Sequence, residues 1–469
     1  MAHEALERDL RTLLGAAAVY GGDRTRFEQG YRYGNGRAAA VVRPQSVHEV
    51  SAIVRFCHPR SIPIVPQGAH SGLVAAGTPQ GTGDQLVLSL ERLRGVTEFS
   101  PLDRTATCKA GTLLSELNAH VHGSGLRLPI DLGADPSIGG MVATNTGGAR
   151  LLRYGDMRHN LLGLEAVLAD ADGTIVSDLN GLRKDNSGVD LKQLFIGTGG
   201  AFGVVTAACV NLHRLPRQTA SALVVPSRLD AVPHIIDVLE EHLGEMLIAC
   251  EGMSRNAMDA ALRHHPALRS PFPAGSLPYF ALLIEAGSTI APNGSLDVEM
   301  LLGEALWPCM EGDDAVIADA IMGRGPEFWM LRHAISDGLK MDGKVLAFDI
   351  SVRRSRLPEL LTILSALVAE MFPQLRICDF GHFGDGGVHF NLVLPHGQAP
   401  STLKEDELRN TIYRRLVDDF GGSISAEHGI GPYNLEYYRR FVPGWKRGTT
   451  ASLKRLLDPM NVLSNTRLE

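Results

Sequence analysis

Two hydrophobic patterns alternate along the first half of the chain. Short runs of β-branched and aliphatic residues bounded by glycine or proline, such as Ile62–Val65, predict strands. Between these runs lies a helical pattern that leads to Ile53. It starts at Ser46 with Glu49 three residues later, which together form a capping box. The alternation predicts an α+β unit over residues 41–205.

The pattern changes near residue 215, where glycine becomes rarer. Residues 230–246 and 357–368 carry apolar side chains at the spacing of a helix. We therefore predict a division of the chain into three parts, at 1–214, 215–425 and 426–469.

Composition narrows the class of protein. Hydrophobic residues make up 44% of the 469 residues, which is too many for a disordered chain. The 45 basic and 52 acidic residues leave a net charge of −7, so the basic footprint of a nucleic-acid-binding protein is missing. Glycine is unusually frequent at 51 residues, which favours tight turns and sites lined by backbone.

Cysteine usage and the first residues bear on location in the cell. The six cysteines lie far apart without a CxxC pair, which indicates free thiols in a reducing compartment. The beginning of the chain is acidic and lacks the apolar core of a signal peptide. No run reaches the roughly 18 apolar residues of a transmembrane helix. We expect a soluble, cytoplasmic protein with no transmembrane segment.

Two glycine-rich segments are candidate cofactor loops. Pro66–Ser71 follows a predicted strand, and its glycine lets successive backbone N–H groups converge on an anion such as a phosphate. Asp131–Gly140 and Asn145–Gly148 are dense in small residues, as suits backbone that approaches a planar ligand. An ordinary loop and close helix–strand packing are the alternatives. No GxGxxG follows an early strand, so the pair favours a dinucleotide in a non-Rossmann fold.

A third segment, residues 381–391, contains two histidines. His382 and His389 would point to opposite faces of one straight strand. The glycine-rich turn at residues 384–387 lets a strand, turn and strand bring them face to face, as two ligands of one divalent metal require. Structural or surface histidines are the alternative.

The fourth segment places a carboxylate beside an imidazole. Glu427 and His428 lie next to Gly429, so the carboxylate can reach a metal while the imidazole serves as a general base near neutral pH. Two histidines, one glutamate and an open position would make a catalytic metal site. A surface turn is the alternative.

In this order and at these separations, the four segments resemble the flavin-dependent 2-hydroxy-acid dehydrogenases of the vanillyl-alcohol-oxidase superfamily, over about residues 30–465. Leu182–Gly197 is similar to the branch of D-2-hydroxyglutarate dehydrogenases. The resemblance implies an α+β fold with a two-subdomain PCMH-type FAD-binding domain. It further implies a ferredoxin-like α+β substrate domain and a short C-terminal helical segment that returns to the flavin.

The resemblance also implies site residues, cofactors and partners. FAD and one divalent metal, usually zinc, are the implied cofactors. The implied FAD contacts are Pro66, Gln67, Gly68, Ala69, His70, Ser71, Asp131, Gly133, Ser137, Gly139, Gly140, Asn145, Gly147, Gly148, Val205 and Asn465. The implied metal ligands are His382, His389 and Glu427, the implied base is His428, and the implied substrate contacts are Arg332, Ser336 and Asn391. FAD is expected to be bound noncovalently, with His70 lining the loop.

The implied reaction is oxidation of a D-2-hydroxy acid to the 2-keto acid with hydride transfer to the flavin. D-2-hydroxyglutarate is the first choice of substrate, and an electron-transfer flavoprotein or a quinone the expected acceptor. Alternatives are a D-lactate or glycolate dehydrogenase or oxidase of the same fold, and a non-catalytic FAD-binding subunit of an oxidase complex. The last would not need both the histidine pair and the Glu-His motif. A homodimer is left open.

Departures from the family concern substrate identity. Ala347 stands where the hydroxyglutarate branch has a lysine for the distal carboxylate, and Lys340 and Lys344 are the nearby candidates to replace it. Asn434 stands where a basic residue follows the Glu-His-Gly motif, and residues 197–200 and 465–467 also differ.

Overall fold

A computed structural model describes residues 2–273, 275–292, 296–323, 325–398, 404–463 and 465–468. The chain divides into two compact units. The first comprises residues 1–148, 155–214 and 427–469, and the second residues 149–154 and 215–426.

Strands and helices follow one another along the whole described chain. The strands are β1 Ala38–Val42, β2 Ile64–Gln67, β3 Gln85–Ser89, β4 Val96–Ser100, β5 Thr105–Lys109, β6 Leu126–Arg127, β7 Leu161–Val167, β8 Ile175–Asp178, β9 Val204–Asn211, β10 His213–Arg214, β11 Gln218–Pro226, β12 Leu247–Ser254, β13 Phe280–Ser288, β14 Ile317–Met322, β15 Gly343–Ser351, β16 Arg376–Ile377, β17 Phe380–Gly381 and β18 Gly387–Pro395. The helices are α1 Ala2–Leu14, α2 Thr25–Glu28, α3 Val47–Cys57, α4 Leu114–Val121, α5 Ile138–Thr144, α6 Leu151–Tyr154, α7 Met157–Asn160, α8 Val232–Leu243, α9 Arg255–His264, α10 Val298–Leu306, α11 Gly325–Asp342, α12 Leu357–Met371, α13 Glu405–Arg414, α14 Leu435–Phe441 and α15 Gly444–Leu457.

The first unit contains a parallel sheet of order β1–β3–β2 and an antiparallel sheet of order β4–β5–β9–β7–β8. All residues of β1 and β3 are buried, as expected for strands of a covered parallel sheet. Ser46 caps α3, because its hydroxyl accepts a hydrogen bond from the Glu49 N–H at 3.2 Å. The predicted strand, helix cap and α+β class are confirmed.

The second unit is built on a sheet of order β14–β11–β13–β12–β17–β18–β15. One face packs against α9 and α11 around a cluster that includes Met253, Leu283, Phe328 and Val393. The predicted helices at 230–246 and 357–368 are confirmed as α8 and α12. This packing places α11, which carries Arg332 and Ser336, against β18, which carries Asn391.

The cysteines and the helices bear on the predicted class. All six cysteines are free and buried, and burial raises the pKa of Cys57 and Cys108 to about 12, so these thiols are unreactive at neutral pH. Within the described ranges, each helix is too short or too polar to cross a membrane.

A buried ion pair anchors the end of the chain inside the first unit. The Lys454 ammonium donates to the Asp458 carboxylate at 2.5 Å and to the carbonyl oxygens of Ala201 and Leu463. The Asp458 carboxylate also accepts the N–H groups of Val462 and Leu463. Both charged side chains are buried, so each depends on the other for solvation.

We predict that Lys454→Met lowers the free energy of unfolding by about 3–5 kcal/mol, because it leaves a buried carboxylate without its counter-charge. The matched control is Arg94→Met, which removes an exposed ion pair with Glu116 and should cost less than about 1 kcal/mol. Urea unfolding of both variants measures the difference. Equal losses would contradict the anchoring role.

Candidate active site

The two predicted cofactor loops meet in the first unit at the hydroxyl of Ser137. This hydroxyl caps α5 by accepting the Gly140 N–H at 3.2 Å, and it also accepts the Ala69 N–H at 3.3 Å. A Cβ on Gly68 would lie 2.2 Å from the same oxygen, so the close approach requires glycine there. The sequence prediction that these loops act together therefore agrees with the geometry.

The second loop closes on itself and on Glu427. Gly148 has a φ of +84°, and a Cβ there would lie 2.4 Å from the Asp131 carbonyl oxygen. Its N–H donates to the Glu427 carboxylate at 3.3 Å. The His428 Nε2 lies 3.8 Å from the other Glu427 oxygen. The Glu-His motif thus lies beside the predicted flavin-lining loop, within one unit.

Gly133 provides a test of whether this unit fits a bound FAD. The residue is exposed, its φ lies outside the left-handed region, and nothing lies within 4 Å of where a Cβ would be. Neither packing nor backbone conformation inside the protein therefore requires glycine here. The backbone at Gly133 is open to a flat ligand lying against it. The residues present fit FAD.

Other implied FAD residues have internal partners. The Gln67 amide donates to the carbonyl oxygens of Phe27 and Gly77. The Asn465 amide donates to the Thr78 carbonyl oxygen and accepts from Gln85 at 2.5 Å, so it ties the C-terminal residues to the parallel sheet. The side chains of Gln67 and Asn465 thus stabilise the loop region.

The remaining implied FAD contacts lie in different local environments. Asn145 ends α5 with a φ of +52° and bonds Asp156 and Arg158. Val205 is the second residue of β9 and pairs with Ala166. Gly139 packs on Ala110, Gly147 is buried, and Pro66 and Ser71 are half-buried.

His70 has both ring nitrogens in hydrogen bonds. Nδ1 lies 3.2 Å from the Arg26 carbonyl oxygen, which can only accept, so Nδ1 carries the proton. Nε2 lies 3.0 Å from the Thr78 hydroxyl. Burial lowers the pKa of this histidine, which keeps it neutral. Both ring nitrogens are thus engaged within the first unit, and noncovalent FAD stays a prediction.

The second unit brings the two predicted metal-binding histidines together. His382 follows β17, and His389 lies in β18 opposite Phe380. The Gly387 N–H donates to the His382 carbonyl oxygen at 3.1 Å and closes the turn between them. The imidazole centroids are 5.1 Å apart, with the rings edge to face. The predicted strand, turn and strand geometry is confirmed.

Glu251, in β12, joins His382 to Arg332. One carboxylate oxygen lies 2.8 Å from His382 Nδ1, and the other accepts from Arg332 Nε at 2.7 Å and lies 2.6 Å from its Nη2. Burial alone would raise the pKa of Glu251, but the charges of His382 and Arg332 outweigh it and bring the pKa to about 2. The carboxylate is therefore ionised at neutral pH.

This arrangement engages the histidine through one nitrogen and leaves one edge of the arginine for a ligand. Glu251 holds His382 at Nδ1, as the carboxylate does in carboxylate–histidine–metal sites. Arg332 is 8% exposed, and its Nη1 donates to none of the described residues. The Arg332 guanidinium carbon lies 4.6 Å from the centroid of the Phe380 ring. The same ring also contacts the His389 imidazole. The donor set fits a divalent metal beside an anion-binding arginine.

Asn391 and Asp349 extend the same face of the sheet. The antiparallel register pairs Ala347 with Asn391 and Asp349 with His389, so these four side chains share a face. The Asp349 carboxylate lies 3.8 Å from His389 Nδ1 and accepts from the Ser425 hydroxyl at 3.3 Å. The Asn391 amide donates to the His389 carbonyl oxygen at 3.1 Å.

The structure excludes one of the two lysines considered for a distal carboxylate. Lys344 lies an odd number of positions from Ala347 in β15, so it projects from the opposite face, where it pairs with Glu405 at 2.8 Å. Its predicted role is wrong. Lys340 is exposed two turns after Arg332 in α11, and Ser336 is exposed between them.

Sequence reasoning missed Glu251 and Asp349. Glu251 is the single charged residue of β12, whose residues are all buried, and Asp349 lies in the buried stretch at the end of β15. A charge in such a strand needs a partner, which is the signal that predicts a polar site. The partner could not be named, because 131 residues separate Glu251 from His382.

Comparison with known proteins identifies the family of the chain. A model described as FAD binding domain matches residues 38–178, and one described as FAD linked oxidases, C-terminal domain, matches residues 215–468. D-2-hydroxyglutarate dehydrogenase, mitochondrial, of Bos taurus is 35% identical over 92% of this chain and 76% of its own length. The probable D-2-hydroxyglutarate dehydrogenase, mitochondrial, of Oryza sativa subsp. japonica is 33% identical over 92% of this chain and 75% of its own length.

Among solved structures, p-cresol methylhydroxylase has a TM-score of 0.77 at 15% identity, over 98% of this chain and 95% of its own. This likeness confirms the vanillyl-alcohol-oxidase type of fold. The chain therefore belongs to the FAD-linked oxidases, in the family of FAD-dependent 2-hydroxy-acid dehydrogenases that its sequence resembles.

Proposed function

We propose that the protein oxidises a D-2-hydroxy acid to the 2-keto acid, with D-2-hydroxyglutarate as the first candidate. The observation that carries the proposal is the Arg332–Glu251–His382 connection, which sets an anion-binding guanidinium beside a histidine pair. The names of the relatives support the substrate.

Arg332 holds the substrate carboxylate through its Nη1 edge, which Glu251 leaves available. A guanidinium fixed by Glu251 on one side and by the Phe380 ring loses little freedom when a carboxylate binds. Asn391 holds a polar oxygen of the substrate, and Ser336 lies one turn from Arg332. Such fixed contacts orient the C2–H bond of the substrate.

His428 accepts the proton of the substrate hydroxyl. Glu427 beside it holds the motif against the flavin-lining loop through the Gly148 N–H. FAD, when bound by the loops around Ser137, supplies the acceptor for the hydride. The chain's own contribution is to place the base and the carboxylate clamp.

His382, His389 and Glu427 hold one divalent metal, with zinc as the first choice because imidazole and carboxylate ligands suit it. A bound divalent ion supplies a Lewis acid for the hydroxyl oxygen. Glu251 orients His382 for this role by accepting from its Nδ1. The electrons pass on to an electron-transfer flavoprotein or a quinone.

A second candidate is a D-lactate or glycolate dehydrogenase. Ala347 favours it, because this side chain shares the face of Asn391 and supplies no charge for a second carboxylate. Lys340 is the cation that we propose for a dicarboxylate. A non-catalytic subunit is disfavoured, since such a protein has no use for the buried Arg332–Glu251–His382 connection.

His428→Ala should retain FAD and lower the rate of anaerobic flavin reduction about 10²- to 10⁴-fold, the usual contribution of a positioned base. Stopped-flow absorbance with D-2-hydroxyglutarate measures this rate. His234→Ala, which changes an exposed histidine of α8, is the control and should leave the rate unchanged. A near-wild-type rate for His428→Ala would exclude the role.

Glu251→Gln should lower metal affinity about 10- to 100-fold, because His382 loses the carboxylate that fixes its orientation. Metal titration followed by elemental analysis measures the affinity. The control is Glu285→Gln, a buried carboxylate of the neighbouring strand that bonds Trp329 instead of a histidine. Active protein without a stoichiometric divalent metal would refute the metal site.

Lys340→Ala should lower kcat/KM for D-2-hydroxyglutarate about tenfold or more, about 1.4 kcal/mol, and leave that for D-lactate unchanged. Lys344→Ala is the matched control and should change neither, because that side chain points to the other face. Steady-state kinetics with D-2-hydroxyglutarate, D-malate and D-lactate decide the substrate. A wild-type kcat/KM for D-lactate at least tenfold above both dicarboxylates would replace the first candidate by the second.

A further inference from the structure

The first unit carries an exposed basic and aromatic surface on α14 and α15, which is separate from the site described above. We call it the C-terminal basic face, and it consists of Arg439, Arg440, Trp445, Lys446, Arg455 and Leu456. Residues 435–461 contain six basic residues and only two acidic ones, in a chain whose net charge is −7. The positive charge of this segment is therefore local.

The two acidic residues of the segment do not neutralise this face. Glu436 pairs with Arg440, and Asp458 pairs with the buried Lys454. Arg439, Lys446 and Arg455 are exposed and have no carboxylate partner among the residues that the structure describes. Three cations thus remain for an external anion.

Helix geometry orders the side chains of α15 around its axis. Trp445 and Leu456 are eleven positions apart, which puts them on one side, about 16 Å from each other along the axis. Measured around the helix axis from Trp445, Lys446 lies about 100° to one side and Arg455 about 80° to the other. Lys454 lies about 180° from Trp445, on the opposite side of the helix. Lys454 is the buried anchor of the helix, so the side with Trp445 must face outward.

Both apolar side chains on this side are strongly exposed. Trp445 and Leu456 are each 75% exposed, and Met460 beyond the helix is 49% exposed. Tryptophan with flanking lysine and arginine is typical of helices that lie at a membrane surface, where the indole sits among the headgroups. The other strongly exposed tryptophan, Trp307 at 59%, follows Glu304 and precedes Glu311, without a neighbouring cation.

We propose that the C-terminal basic face docks the protein peripherally on an anionic lipid bilayer. The cations contact acidic headgroups, and Trp445 and Leu456 enter the interface between them. A lipid surface fits better than an acidic protein. The exposed apolar side chains, Trp445 and Leu456, are spaced along the outer side of α15 and do not form a patch or groove. This inference goes beyond the proposed function and does not rest on it.

Sedimentation of the full-length, flavin-loaded protein with vesicles tests the proposal. We expect binding to vesicles of phosphatidylcholine mixed with phosphatidylglycerol and none to phosphatidylcholine alone. Salt should release the protein, because the Debye length falls from about 10 Å at 0.1 M to about 3 Å at 1 M. Trp445 fluorescence should shift to shorter wavelength on binding.

Variants distinguish binding through the C-terminal basic face from nonspecific binding to vesicles. Arg439→Gln and Lys446→Gln should each weaken vesicle binding about fivefold. Trp445→Ala should weaken it and remove the fluorescence shift, whereas the matched control Trp307→Ala should do neither. Flavin reduction in solution should stay unchanged in all four.

Three results would overturn the proposal. They are equal binding to both kinds of vesicle, no binding to the anionic vesicles at low salt, and binding that survives the Arg439, Lys446 and Trp445 changes. Binding of polyglutamate without binding of anionic vesicles would assign the face to an acidic protein instead.

Discussion

The polar site of the second unit depends on one buried carboxylate. Glu251 is 1% exposed and would be costly to ionise alone, yet it bonds Arg332 and His382 at once, and its pKa is held at about 2. Each partner is oriented by the same anion, and the guanidinium keeps one edge for a ligand. The carboxylate thus defines how two side chains from different elements face their ligands.

The first unit uses neutral groups where the second uses charges. The Ser137 hydroxyl joins two loops by accepting N–H groups from both, and Gly68 permits the approach. Backbone N–H groups that are ordered in this way bind a phosphate without a lysine or arginine in the loop. The two units thus order their polar groups by different chemistry, backbone and hydroxyl groups in the first and paired charges in the second.

Helix α15, near the end of the chain, has one side packed inside the first unit and the opposite side exposed to solvent. Lys454 turns inward from α15 to the carbonyl of Ala201 and to Asp458, which fixes the helix against the loop that leads into β9. With the inward side fixed, the helical period leaves Trp445 and Leu456 on the outside. An ion pair that stabilises the first unit therefore also determines which side chains solvent meets.

The sequence by itself determined the features that depend on near neighbours along the chain. These are the strand beside Ile64, the helix that Ser46 caps, the glycine loops and the turn that brings His382 and His389 together. Tertiary structure alone decided which distant side chains meet, because strand pairing and helix packing join residues whose separation carries no local signal. It selected Glu251 as the partner of His382, 131 residues away. It also turned Lys344 away from Ala347, since register and the alternation of faces, rather than proximity in sequence, decide where a strand side chain points.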